Sequence, residues 1–241
     1  MKIKPLIIII LLISFTNAQS QEYTFGVKGG INYNNIGELY HFGSWAGSNP
    51  TPLDDTYYTA DKEIGFHFGG FGMITFNKLF IRPEINFMSL KNSYALAKKT
   101  ANWTSKKIDI PILLGYIIYE PVSIYAGPSF SSISEMNLEG NQENLRPFTY
   151  KNSSTAINAG LLVDIGRFGF DLRYQYDITK VDELEIDIDR GTYGTNRGRL
   201  LAYNPSQIIL SVHINIIKIN ADDRGHRIKS DWRGGNRGCP N

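Results

Sequence analysis

The eleven residues FGFDLRYQYDI, 168–178, constrain this chain more than any other part of it. Phe168, Phe170, Leu172, Tyr174, Tyr176 and Ile178 take one set of alternate positions. Gly169, Asp171, Arg173, Gln175 and Asp177 take the other. Side chains leave a β-strand with period two, so this is a strand with one apolar, aromatic face and one face carrying charge of both signs. A water-soluble barrel turns the apolar face inward. A membrane barrel turns it outward.

The same alternation recurs in residues 23–33, 63–76, 79–89, 107–117, 122–130, 155–165 and 206–216, which makes eight strands of the length that crosses a bilayer at a tilt. The connections alternate in length. Residues 34–62, 91–102, 133–154 and 179–204 are expected loops, whereas Asn77-Lys78, Tyr119-Glu120-Pro121 and Gly166-Arg167 are short turns. Loops outside and turns in the periplasm are the asymmetry of an outer-membrane barrel, with both termini periplasmic. The expected fold is therefore all-β: an eight-stranded antiparallel transmembrane barrel of the OmpA/OmpX type of architecture.

The faces then receive their assignments. Aromatics fall at both ends of the apolar faces: Tyr23, Phe25, Phe76, Tyr116, Phe168 and Phe170 toward the turns, and Tyr33, Phe66, Phe68, Phe87, Phe130, Tyr174 and Tyr176 toward the loops. Two such girdles around an Ile, Leu and Val band are what a bilayer selects, so the apolar face looks at lipid. Only a closed barrel leaves no backbone edge unsatisfied there. Arg82, Glu84, Asp109, Asp164, Asp171 and Arg173 then point inward. Their signs match, and an eight-stranded lumen is just wide enough for side chains to fill. A packed, charge-paired lumen predicts no general porin activity. A secreted lipocalin-like barrel is the alternative. It needs no girdles, and more Lys and Glu on its outer face than these strands offer.

The ends differ from the middle. Lys2 and Lys4 precede a ten-residue apolar run, Leu6 to Phe15, followed by the small-residue site Thr16-Asn17-Ala18, so residues 1–18 are an expected signal peptide. The barrel is expected over 19–217 and a flexible, net-positive periplasmic tail over 218–241. The single cysteine, Cys239, excludes an internal disulfide and any cysteine metal cluster, and the net charge of +2 gives no argument for nucleic acid. No cofactor or metal is expected.

FGVKGGINYNNI near the start, KKIDIPILLGY, SIYAGPSF and GFDLRYQYDI together resemble, in order over roughly residues 19–217, the PorT-like outer-membrane β-barrel domain family of Bacteroidetes. The resemblance implies an outer-membrane barrel, linked in some members to type IX protein secretion. It implies no catalytic residues. Such barrels often end on an aromatic residue; here the last strand ends in Ile216-Ile217.

Little points to catalysis. His67 and His213 fall on lumen faces, and Ser211 shares a lumen row with His213. A lipid-modifying enzyme would need such a base and hydroxyl, but hydrogen-bonded lumen histidines explain them as well. DELEIDIDRG, residues 182–191, offers Asp187, Asp189 and Gly191 as fragments of a calcium loop without its distal Glu, and reads as a solvated acidic extension of the seventh strand. Trp45, Tyr57 and Tyr58 in the first loop belong either to a recognition surface or to a disordered segment. The expected function is a non-enzymatic, structural, adhesive or secretion-associated barrel. Its expected partners are outer-membrane lipid and an envelope or secretion-machinery protein, and it is expected to be monomeric.

Overall fold

Period-two alternation becomes a closed ring. The computed structural model describes residues 21–41, 56–96, 99–141, 150–189 and 195–220. The expected signal peptide, Trp45, Gly191, Cys239 and the tail beyond 220 lie outside them. Eight long strands form the wall: β1 (Gln21–Asn35), β5 (Ile64–Phe76), β6 (Leu79–Leu96), β7 (Lys99–Tyr119), β8 (Val122–Leu138), β9 (Ser153–Ile165), β10 (Phe168–Asp177) and β13 (Ser206–Asn220). Between them come β2 (Leu39–His41), β3 (Thr56–Tyr58), β4 (Ala60–Lys62), β11 (Leu184–Asp189) and β12 (Thr195–Leu200). Every neighbouring pair in the wall is antiparallel. The order runs β6-β5-β1-β13-β10-β9-β8-β7, and β6–β7 pairing closes the circle. The fold is the expected eight-stranded transmembrane barrel.

Local chemistry makes the turns. Asn77 at φ 53° and Gly166 at φ 63° sit in the left-handed region that their tight two-residue connections require. One glycine inside the wall has a packing reason. A Cβ on Gly115 would lie 2.0 Å from the ring of Phe80, which occupies that space on the neighbouring strand.

The outward rows stay apolar and exposed from Phe168 along β10 to Ile178 just beyond it, and from Ile208 to Ile216 on β13. Ten residue steps at about 3.4 Å, tilted near 40°, give a band of about 26 Å, the height a bilayer core demands. The inward row is not wholly polar. At the turn end Phe80, Leu113, Tyr125 and Leu162 pack together with Met73 and Ile117 against them.

Three sequence expectations change here. Residues 91–96 and 99–102 are strand, not loop, since β6 and β7 stay paired up to Leu96↔Lys99, and β8 likewise runs on to Leu138 inside the expected loop 133–154. The acidic segment is not a free extension of the seventh strand. It is a separate strand, β11, in a four-stranded sheet ordered β11-β12-β2-β3, and its Ile186 is fully buried. The last wall strand runs past 217 to Asn220, which pairs with Glu22. The first two share a cause. Beyond Phe87 and Ile110 the chain leaves the apolar band, and the apolar residues change sides. Leu90, Tyr94 and Leu96 on β6 and Ala101 and Trp103 on β7 point inward, and Lys91 and Lys106 point outward. In water the apolar face must be the inner one. Ile36, Leu39, Tyr94, Trp103, Ile186 and Leu200 are among the residues of this second core, which caps the loop end of the barrel.

Candidate functional site

The lumen has three polar levels. In the middle, Lys28 Nζ donates to Glu84 Oε2 at 3.1 Å and to Asp171 Oδ2 at 2.8 Å. Arg173 Nη2 donates to both Glu84 oxygens, at 3.0 and 2.9 Å, and to Asp171 Oδ2 at 2.9 Å, while its Nε donates to Tyr125 Oη at 3.0 Å. Tyr125 in turn donates to Asp171 Oδ1. Arg82 Nε lies 2.9 Å from Glu84 Oε1 without hydrogen-bond alignment, and its guanidinium stacks 3.9 Å over the Phe71 ring. Three cations thus surround two carboxylates, all of them buried.

Asp109 and Asp164 are lumen-side but belong to other levels. Asp109 accepts from Ser131 Oγ at 2.6 Å and from Gln175 Nε2 at 3.2 Å, one level toward the loops. Asp164 lies toward the turns, 2.8 Å from His213 Nε2, with Asn215 Nδ2 donating at 3.4 Å. The sequence set of six is therefore one network of four and two separate groups. Lys28, which the set left out, is central to it. Strand parity alone placed Lys28 inward, but nothing in the sequence marks which carboxylates it meets.

The histidines split likewise. Ser211 does not act with His213. Its Oγ shares a 2.9 Å hydrogen bond with His67 Nε2, direction set by the tautomer. His67 is 4% exposed and Ser211 5% exposed. Neither lines the cavity described next. The aromatics Tyr23, Phe25, Phe76, Tyr116, Phe168, Phe170, Tyr33, Phe66, Phe87, Phe130, Tyr174 and Tyr176 all lie on the outward parity, half-buried or exposed. Phe68 and Phe87 stack across strands with centroids 5.2 Å apart.

Between the upper lumen and the apolar cap lies a cavity of about 320 Å3. β8 loses its β9 partner after Ser132↔Ser153, while its extension stays paired with β7 up to Trp103↔Leu138. Lys107, Asp177, Asn34 and Gln207 line the cavity's lumen end, and Ile36, Leu90, Trp103 and Met136 its apolar wall. At its rim Lys151 Nζ pairs with Asp182 Oδ2 at 2.8 Å, and the Lys151 ammonium holds that carboxyl below its usual range. Tyr94 donates to Gly37 O at 2.6 Å and anchors the cap; burial pushes its phenol, and that of Tyr203, well up. Tyr57 is 61% exposed on the cap, with its ring 4.9 Å from Tyr40, while Tyr58 packs on the cap core. The expected aromatic surface of the first loop is thus divided between outside and inside. Among the described residues no three His, Cys, Asp or Glu side chains come close enough to hold a metal ion.

A closed antiparallel ring with apolar outward rows and a side-chain-filled lumen defines an outer-membrane barrel. The chain belongs to the outer membrane protein beta-barrel domain family, whose model matches residues 6–214. Among solved structures it is similar to the outer membrane protein OprG from Pseudomonas aeruginosa, at 12% identity over 84% of this chain and 97% of that one, with a TM-score of 0.47. Neisserial surface protein A is also similar, at 14% identity over 79% and 96%, with a TM-score of 0.40. So is Ail, the attachment invasion locus protein of Yersinia pestis, at 15% identity over 83% and 99%, with a TM-score of 0.38. No curated protein matches the chain.

Proposed function

We propose that this protein is a non-enzymatic, non-conducting barrel that works at the cell surface through its folded cap, as an adhesive or secretion-associated component. The carrying observation is the contrast between the two ends of the interior. The midplane is blocked by Lys28, Arg82, Glu84, Asp171 and Arg173 beneath filled polar levels, so a solute has no aqueous path. The loop end, by contrast, carries its own sheet and apolar core, an ordered platform that a plug alone does not need. In this reading the signal peptide directs export, the turns and both termini face the periplasm, the cap faces outward, and a monomer suffices. The buried His67–Ser211 pair is a structural hydrogen bond.

Two measurements test the reading together. Purified barrel in planar bilayers is expected to give no steady large-conductance channels. Protease added to intact cells is expected to cut on the cap side of the barrel and spare the wall strands. Steady conductance refutes the plug. Cleavage only after the outer membrane is opened refutes the orientation.

A further inference from the structure

The cavity under the cap has the make-up of a small-molecule site. Its volume of about 320 Å3 equals that of about ten waters at roughly 30 Å3 each, the room needed by a molecule of about ten to fifteen non-hydrogen atoms. Its wall is apolar, with Ile36, Leu90, Ile133 and Met136. Its lumen end is the unusual part. Lys107 from β7 and Asp177 from β10 both line it, and both are 6% exposed. Among the described residues no ion pair within 4.0 Å joins them, although the Lys107 ammonium and the Ser154 side chain lie near enough to act on the Asp177 carboxyl. Lys107 Nζ reaches only Gln175 Oε1, at 3.4 Å. The nearby Asp109 is already held by Ser131 and Gln175. Asn34 and Gln207 also line this end, and their Oδ1 and Oε1 atoms lie buried behind it without a partner.

Buried charges and polar atoms left unpaired are costly, so such an end is suited to a group that completes them. A head of one sign answers only half of it. An anion meets Lys107 but faces Asp177, and a cation does the reverse. We propose that the cavity binds a small zwitterion with an apolar body, its carboxylate on Lys107, its ammonium on Asp177, and its body along Met136 and Ile36. The Lys151–Asp182 pair lies across the rim. This goes beyond surface recognition and does not depend on it, since a cap with no protein partner still holds the cavity.

Trp103 lines the cavity and serves as reporter. The full chain carrying Trp45→Phe and Trp232→Phe is placed in phosphatidylcholine nanodiscs and titrated with three ligands that share one apolar body. These are L-phenylalanine, phenethylamine and 3-phenylpropanoate. The expected result is saturable Trp103 fluorescence change with phenylalanine, at least about tenfold tighter than with either single-charge analogue. Asp177→Asn is expected to erase the preference over 3-phenylpropanoate, and Lys107→Met the preference over phenethylamine. Met136→Phe, which fills the wall, is expected to weaken all three. Heat-modifiable migration checks that each variant is folded; where one is not, the three-ligand comparison on the unmutated site decides. Equal affinities for the three ligands, or a response that only rises linearly with concentration, overturns the proposal.

Discussion

Glu84→Gln is the perturbation that most directly tests the plug. In the native lumen Glu84 accepts from Lys28, from Arg173 through both oxygens and from Asn86 Nδ2 at 3.1 Å, and it faces Arg82. The amide removes the charge but keeps the shape. It leaves Lys28, Arg82 and Arg173 around Asp171 alone. Breaking a buried ion pair from one side costs roughly 3–5 kcal/mol, and with three cations depending on this carboxylate the upper end is expected. Arg173→Met is expected to cost less, about 2–3 kcal/mol from lost charge-assisted hydrogen bonds, because Lys28 and Arg82 still balance Glu84 and Asp171. The assay is urea unfolding of the barrel in lipid vesicles, followed by fluorescence and by heat-modifiable migration. Adding Lys28→Met to Glu84→Gln removes one surplus cation and is expected to recover at least half of the loss. If Arg173→Met proves the more damaging change, or if the double variant recovers nothing, the charge balance described here is wrong.

Trp103→Ala is expected to cost about 3–5 kcal/mol of cap stability while leaving the wall strands protected, which hydrogen exchange resolved by segment checks. Truncation after Asn220 is expected to leave a fully heat-modifiable barrel, whereas truncation after Ile216 removes the pairs from Phe25↔Ile217 to Glu22↔Asn220 and is expected to lower the midpoint of urea unfolding. The cap is expected to loosen as pH rises above about 10. Tyr94 and Tyr203 keep their protons when folded but lose them when unfolded, so the unfolded state is favoured at high pH. Ultraviolet titration of the phenols in the native protein and in Tyr94→Phe checks this. Outer-membrane lipid profiles are expected to be the same with the native protein, with His67→Ala and without the protein, and a lipid change that His67→Ala abolishes would favour an enzyme.

Within the bilayer, the sequence by itself determined the number of strands, their parity and their turns. Each of these is written in neighbouring residues: alternation in FGFDLRYQYDI, the Asn77-Lys78 and Gly166-Arg167 pairs, the unequal connections. Lipid outside and side chains inside act on every strand alike, so one local rule serves all eight. The cap was legible only in part, because its rule is the opposite one. In MSLKNSYAL and TANWTSKK the apolar positions change parity once the strand enters water, and that switch was the available signal. Its small sheet needed tertiary structure. β2 and β12 are short and lie far apart in the chain, and their pairing, with Tyr40 opposite Arg199, has no local signature. The same holds for the lumen. Parity put Lys28, Glu84, Asp171 and Arg173 on the inside, but only barrel closure and register decided that Lys28, 143 positions from Asp171, would share its carboxylate with Arg173, while Asp109 and Asp164 settled on other levels. Which inward side chains meet is a property of the ring, where residues distant in sequence become neighbours across a space only one side chain deep.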